Sequence, residues 1–451
     1  MSDITTADRL GPHGTKTAAP YRQGAPAMDI GASDQWSGLR IMIVGLCFLL
    51  NAIDGMDVVI LSYIAPVLTT DWQLSPERLG IVFSASLAGM VVGCFFVAPL
   101  ADHWGRRPLI LASLTIITGC MIASGFARNV AELLVLRLVI GVGVGAILAS
   151  MAAIAAEFAP VKERALAVSI MTAGYPLGAM LTGLAMAPLL PQFGWHMMLL
   201  GAGIISLIAL PIVWLVLPES IDFLIRRQPR NALTRVNGVL TRLNHAPIAA
   251  LPPRPAKAGN LNIGQIFAPG RIRATIALWI GIFMGFMSLY FVISWITKLA
   301  SGAGLSLDKA IYVGAILNFG ACLGTIAMGK LSTVFPQSRV GAIFLIVAAA
   351  MLVVFGTVAM PLPVVLINAF LMGVAIYGGF NAFYGLAASL YPAAVRSTGI
   401  GWAMGVGRFG AVVGPTFGGM LIGAGASLST VMIVFAIPLV IAAIAAILSR
   451  H

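Results

Sequence analysis

Two carboxylates, Asp54 and Asp57, stand three residues apart in Asn51-Ala-Ile-Asp-Gly-Met-Asp-Val-Val-Ile60, in the middle of an apolar run from Ile41 to Leu68. That run is long enough to cross a bilayer. An ionisable side chain in hydrocarbon costs roughly 2.5 kcal/mol or more, so it persists where it lines a pathway, binds an ion or relays a proton. The spacing puts both acids on one side of a helix, where either can carry the proton. The bland alternative, a turn at Asp54-Gly55, would leave backbone groups unpaired in lipid.

Two arginines belong to the same chemistry. Arg137 lies about a third of the way down the fourth apolar span, where it can pair with Asp57 when that acid is ionised. Protonation of the acid would release the pair, which is the two-state element a proton-coupled carrier needs. Arg408 lies twelve residues past Arg396, so at ~1.5 Å per residue it sits roughly 18 Å deep, near the middle of a bilayer. A guanidinium there needs an anion, and its planar fork suits a carboxylate. A fixed ion pair with an acid on another helix is the structural alternative. Apolar and polar walls for a bound acid are available in Tyr290, Phe291 and Trp295, in Asn318, and in Tyr377, Phe380, Asn381 and Tyr384. Aromatic residues in membrane helices more often pack or face lipid than bind a ligand.

The elements that must position these groups follow from hydropathy. The chain is 59% hydrophobic and 9% charged, outside the range of soluble globular proteins. Spanning runs lie at about Ile41–Leu68, Leu79–Leu100, Pro108–Phe126, Ala131–Phe158, Leu166–Leu190 and His196–Leu217. Six more follow a polar gap, at Ile272–Leu299, Ala310–Leu331, Val340–Ala359, Pro363–Leu390, Gly399–Ile422 and Leu428–Leu448. The expected fold is an all-α polytopic membrane protein of twelve transmembrane helices in two pseudo-symmetric six-helix bundles. Residues 1–36 are expected to be a disordered cytoplasmic tail, 37–218 the first bundle, 219–270 a cytoplasmic linker with one or two short amphipathic helices, and 271–451 the second bundle. The net charge of +12 is accounted for by topology. Arg106, Arg107, Lys162, Arg164, Lys330, Arg339, Arg396 and Arg450 fall on the side of the termini, with the Arg-rich gap from Arg226 to Arg273, so the positive-inside rule places both ends in the cytoplasm. No basic surface remains for nucleic acid. The four cysteines (Cys47, Cys94, Cys120, Cys322) fall inside spans without metal-ligand spacing. No metal and no cofactor is expected.

The two sets of six are related. A shift of 232 residues lays Ala156-Glu-Phe-Ala-Pro-Val-Lys-Glu-Arg164 over Ala388-Ser-Leu-Tyr-Pro-Ala-Ala-Val-Arg396, and Gly178 over Gly410. A parallel repeat of six spans suits a carrier whose bundles rock about a central site. One chain supplies both bundles, so a monomer is the expected working unit.

The loop after the second span reads Ala98-Pro-Leu-Ala-Asp102-His-Trp-Gly105-Arg106-Arg107, and the fourth span opens Arg137-Leu-Val-Ile-Gly141-Val-Gly143-Val-Gly145. Over Arg40 to Arg450 the chain resembles the major facilitator superfamily, whose loop signature is Gly-x-x-x-Asp-Arg-x-Gly-Arg-Arg and whose fourth helix carries Arg-x-x-x-Gly-x-Gly-x-Gly. Ala98 and His103 depart from the loop signature, and the second-half counterpart Gly329-Lys-Leu-Ser-Thr333 has lost the acid and the turn glycine. Asp54-Gly-Met-Asp57, Leu390-Tyr-Pro-Ala-Ala-Val-Arg396-Ser-Thr-Gly399 and Gly407-Arg408-Phe-Gly-Ala-Val-Val-Gly414-Pro415 are similar to the aromatic acid:proton symporter family. Met56 replaces a common aromatic. The resemblance implies import of benzoate-type or hydroxybenzoate-type acids with protons across a bacterial inner membrane.

Asp102, Arg106, Arg107, Glu157, Arg164 and Arg396 are read as a charge cluster forming an inner gate between the bundles. Charged helix ends in the headgroup region are the plain alternative. Gly324-Thr-Ile-Ala-Met-Gly329-Lys330 imitates a P-loop, but Leu331 stands at the Ser/Thr position and the run ends an apolar helix. Enzyme chemistry therefore has no motif to rest on. The expected activity is proton-coupled import of a small aromatic carboxylate by alternating access. Alternatives are a carrier of another organic anion such as muconate, an exporter of small apolar compounds, and an acid receptor that does not transport.

Overall fold

The computed structural model describes residues 35–254, 266–268, 270–392 and 395–449. The expected N-terminal tail lies outside the described residues except for Gln35 and Trp36, as do 255–265 of the expected linker and Arg450. Fourteen α-helices are found among the described residues: α1 Gly38–Asp71, α2 Pro76–Val92, α3 Ala101–Trp104, α4 Arg106–Ser124, α5 Val130–Phe158, α6 Arg164–Val216, α7 Ile221–Arg227, α8 Ala232–Arg242, α9 Ile272–Gly302, α10 Leu307–Leu331, α11 Gln337–Thr357, α12 Leu362–Leu390, α13 Arg396–Gly423 and α14 Leu428–Leu448.

Ten helices among the described residues are long and apolar enough to cross a membrane. α6 counts once among them although it has 53 residues, about 80 Å at 1.5 Å per residue and far more than one hydrocarbon core of about 30 Å. It breaks at Gly194, whose φ of 73° no other residue type adopts cheaply. Two crossings result, at the place where the hydropathy divides them. α13 has the length of a span, 28 residues, but Arg408 and its many glycines dilute its apolar character. With α6 taken as two and α13 included, the helices make twelve crossings.

Helix starts follow ordinary capping. Asn129 accepts the backbone N–H of Glu132 at 2.9 Å to begin α5, and Ser427 accepts that of Thr430 at 3.2 Å to begin α14. Between α2 and α3 the chain does not leave the helix. It passes through a π-helical turn at Gly93–Val97 and a 3-10 turn at Ala98–Leu100. Large apolar side chains such as Leu181, Ile208 and Ile367 point outward, as lipid-facing residues must.

The repeat is written into the backbone packing. A Cβ on Gly141 of α5 would overlap the Ser86 carbonyl oxygen of α2, and a Cβ on Gly373 of α12 would overlap that of Leu317 in α10. Gly89 against Leu138 matches Gly320 against Phe370, and Gly178 against Ala52 matches Gly410 against Phe283. These pairs are related by the shift of 232 residues or one fewer, so both bundles bring the same helices into the same close approach.

The face that carries α7 and α8 is the near face, and the one where α1 ends and α2 begins is the far face. Recorded bonds between the bundles gather toward the far face. The Ser62 hydroxyl donates to Thr297 Oγ1 at 3.4 Å, and Ser84 Oγ donates to the Val412 carbonyl at 2.6 Å while accepting from Thr416 at 2.7 Å. Phe83 meets Trp295 edge-on at 5.3 Å between ring centres. Nearer the other face, Phe95 reaches Trp402, with ring centres 6.2 Å apart.

Candidate functional site

α1 runs without interruption through Asp54, Gly55 and Asp57, so the turn reading of Asp54-Gly55 fails. Gly55 is present for another reason: a Cβ there would overlap the Tyr175 carbonyl oxygen. The backbones of α1 and α6 touch at that point, and this contact fixes how Asp54 and Asp57 face the interior.

Asp57 and Arg137 form a buried ion pair, Nη1 to Oδ1 at 2.6 Å, with side-chain exposures of 1% and 0%. The pair is incompletely satisfied. Asp57 Oδ2 and Arg137 Nε and Nη2 have no hydrogen-bond partner among the described residues. Asp54 is 5% exposed, and its Oδ1 also lacks a partner. A single well-made bond cannot offset the desolvation of two buried charges, so such a pair is weak evidence for stability and fits a switch better.

Arg408 projects from α13 toward the same group. Its Nη1 contacts the Met90 sulfur of α2, and Cys94, Tyr290, Tyr384 and Asp54 are its electrostatic neighbours. It makes no ion pair among the described residues, so the fixed structural pair considered for it is not formed. Tyr290 stands between the two ends of this group, close to Arg408, Asp54, Tyr384 and Tyr175. Tyr377 faces Tyr290, Tyr63 and Asp54, and its hydroxyl is unpartnered.

Several expected contacts fall elsewhere. Asn381 donates to Thr325 Oγ1 at 2.8 Å and so ties α12 to α10. The Trp295 indole donates to the Pro415 carbonyl at 3.0 Å and its ring packs on Phe83, so it holds α9 to α13 and to the first bundle. Asn318 donates to the Gly314 carbonyl of its own helix at 2.9 Å. Of the expected ring-contacting residues, Tyr290 and Tyr384 are the two brought to Arg408. Tyr175 was not foreseen. Its one legible signal is position, flanked by Gly174 and Gly178 on the helix face that packs against α1.

Residues expected at an inner gate meet partners inside the first bundle. Arg106 Nη1 meets Glu157 Oε2 at 2.7 Å, and its Nη2 lies 3.7 Å from Asp222 Oδ2. Glu219 Oε1 accepts the backbone N–H groups of Arg106, Arg107 and Ser220 at 2.9, 3.1 and 3.0 Å, capping α4 after the turn at Gly105, where φ is 105°. Arg107 donates to the Trp214 carbonyl at 2.6 Å, and the Asp102 carbonyl accepts from Arg227 at 2.7 Å. These bonds join α4, α5 and α6 to α7 within the first bundle. Arg164 opens α6, and Arg396 of the second bundle donates to the nearby Tyr391 carbonyl at 3.3 Å. The segment after α6 folds back onto this face and supplies Glu219, Ser220 and Asp222 as partners.

A transmembrane bundle with a repeat of six helices, a buried Asp–Arg pair in one half and an unpaired arginine in the other is the architecture of a secondary carrier. Residues 47–361 match the Major Facilitator Superfamily, and the chain belongs to that family. It is thus a polytopic membrane transporter and not an enzyme. It is 33% identical over 411 residues to a 4-hydroxybenzoate transporter, PcaK, of Pseudomonas aeruginosa, covering 90% of this chain and 91% of that one. It is 32% identical over 421 residues to a gallate transporter of Pseudomonas putida, covering 93% of each. Among solved structures, the xylose transporter XylE of E. coli in a partially occluded inward-open conformation superposes with a TM-score of 0.71 at 18% identity, covering 90% of this chain and 97% of that one. That likeness carries the fold alone.

Proposed function

We propose that the protein imports a small aromatic carboxylate with protons across a bacterial inner membrane by alternating access, with its termini in the cytoplasm. The observation that carries this reading is Arg408: a guanidinium inside the bundle interface whose recorded contact is a thioether, with no carboxylate paired to it among the described residues. A planar cation in that position is completed by a substrate carboxylate. Tyr290 and Tyr384 beside it supply ring surface, and relatives named for 4-hydroxybenzoate, gallate and benzoate support an aromatic acid.

Protons enter through α1. The Asp57–Arg137 pair is stable only while Asp57 is ionised; protonation frees Arg137 and removes the bond joining α1 to α5. Asp54, between this pair and Arg408, couples substrate charge to proton occupancy by ordinary Coulombic interaction.

Uptake into proteoliposomes tests the reading, with labelled benzoate, 4-hydroxybenzoate, protocatechuate, muconate and a neutral phenol, with and without an inward proton gradient. Gradient-driven accumulation of an aromatic acid is expected. Binding without accumulation, or transport of the neutral phenol alone, would overturn it.

A further inference from the structure

Tyr377 and Tyr384 lie seven residues apart on α12, two turns of one helix face, with an axial separation of about 10 Å. Tyr384 stands beside Arg408. Tyr377 lies further toward the far face, and its charged and phenolic neighbours are Tyr290, Tyr63 and Asp54 rather than Arg408. Tyr175 joins Tyr377 at that deep end, with Tyr290, Asp54 and Asp57 near it. Along α12, therefore, Tyr384 is level with the cation and Tyr377 stands about two helical turns closer to the far face.

The deep end is unsatisfied. Tyr377 is 9% exposed, and its hydroxyl has no partner among the described residues; Asp54 Oδ1 is in the same condition. A buried hydroxyl without a bond carries a desolvation cost that a ligand group can remove. Unsubstituted benzoate seated on Arg408 presents only ring hydrogens to that end and leaves the cost in place. A hydroxyl para to the carboxylate is directed away from Arg408 along the ring axis and offers that end a hydrogen-bonding group.

We infer that Tyr377, seconded by Tyr175, is the specificity-determining contact for the distal hydroxyl of a para-hydroxylated aromatic acid held at Arg408. The inference rests on the carboxylate reading above and adds to it the residues that distinguish a phenolic acid from its deoxy analogue. A site built to hydrogen-bond a hydroxyl discriminates against a ligand that lacks it far more than an apolar pocket does, because its own polar group is then left unpaired.

The test is the ratio of KM values for 4-hydroxybenzoate and benzoate in proteoliposomes, for the unaltered protein and for Tyr377→Phe and Tyr175→Phe. Each variant deletes one hydroxyl and keeps the ring. Tyr377→Phe is expected to raise KM for 4-hydroxybenzoate about tenfold more than KM for benzoate, the scale of one buried hydrogen bond. Tyr175→Phe should shift the ratio in the same direction by less. A ratio unchanged in both variants, with both acids still transported, overturns this assignment and leaves the carboxylate reading standing. If the unaltered protein carries neither acid, this inference falls, and the wider panel of acids above decides the carboxylate reading separately. A variant that has merely misfolded loses both substrates together and is recognised by an unchanged ratio with a collapsed maximal rate; 3-hydroxybenzoate binding by the unaltered protein then decides, since equal affinity for the meta and para acids removes the basis for a para-directed contact.

Discussion

The two bundles use one backbone plan and two different sets of polar groups. Gly141 against Ser86 and Gly373 against Leu317 make the same helix approach in each bundle. On α1 the packing pairs place the counterpart one residue short of the shift of 232, so Asp57 corresponds to Ser288, whose hydroxyl donates to the Phe435 carbonyl at 2.8 Å, and Arg137 corresponds to Ala369. The first bundle thus holds a charged pair where the second holds uncharged residues. Arg408, conversely, corresponds to Pro176. The repeat supplies the scaffold for rocking, and the departures from it supply the chemistry: a proton-binding half and an anion-binding half.

Removing the anion-binding group breaks this division most severely. Arg408→Ala should lower acid uptake by at least about 30-fold, in keeping with the 2–5 kcal/mol that truncating one partner of a buried charge pair costs. Binding measured directly in detergent should be lost as well, since this residue is assigned to the substrate rather than to the proton. Retained binding would move the anion site away from the second bundle.

Making the first bundle like the second is the next largest change. Asp57→Leu alone leaves Arg137 buried without a counter-ion, and such uncompensated charge costs about 3–5 kcal/mol. Its thermal stability should fall sharply. Asp57→Leu with Arg137→Ala removes both charges together, and replacing a whole buried pair by apolar groups is often neutral. The double variant should recover most of the stability, bind the acid, and fail to accumulate it on a proton gradient. Accumulation by the double variant would remove the pair from the coupling mechanism.

How far each feature could be read from the chain depended on whether it needed one segment or several. Twelve apolar runs are local facts, and the break in α6 at Gly194 falls between two of them. The Asp57–Arg137 pair was legible because charged residues are so scarce in these spans that an acid and a base at comparable depth have few other partners. Tyr175 was invisible because its importance comes from the touching backbones of α1 and α6. Glu219 is hard to read from the chain because it falls at the start of a polar segment with the composition of a linker, although it closes the network that the loop arginines require. Trp295 and Asn381 have the composition of a ligand site, but their donors are committed to Pro415 and Thr325. Residue type alone does not reveal where a donor is spent.

The shared scaffold makes a more modest prediction. Gly141→Ala and Gly373→Ala each press a methyl group onto a carbonyl oxygen of the neighbouring helix, an overpacking that costs about 1–3 kcal/mol. Thermal unfolding in detergent should show comparable losses for the two. A loss confined to one bundle would show that the packing symmetry does not extend to energetics.

The smallest effect concerns Asn381, on the polar side of the second bundle yet outside its chemistry. Its amide holds α12 to α10 through Thr325, and an interhelical hydrogen bond in a membrane protein is worth about 0.6 kcal/mol on average. Asn381→Ala should therefore lower the unfolding temperature slightly and leave the KM for the acid within about twofold, because an effect of that size corresponds to less than half of a tenfold change in an equilibrium. Thr325→Val should do the same, and the double variant should add nothing further, since both members of one bond are then gone. A large rise in KM for Asn381→Ala without the same rise for Thr325→Val would return Asn381 to the substrate site and enlarge the second bundle's share of recognition beyond Arg408 and its tyrosines.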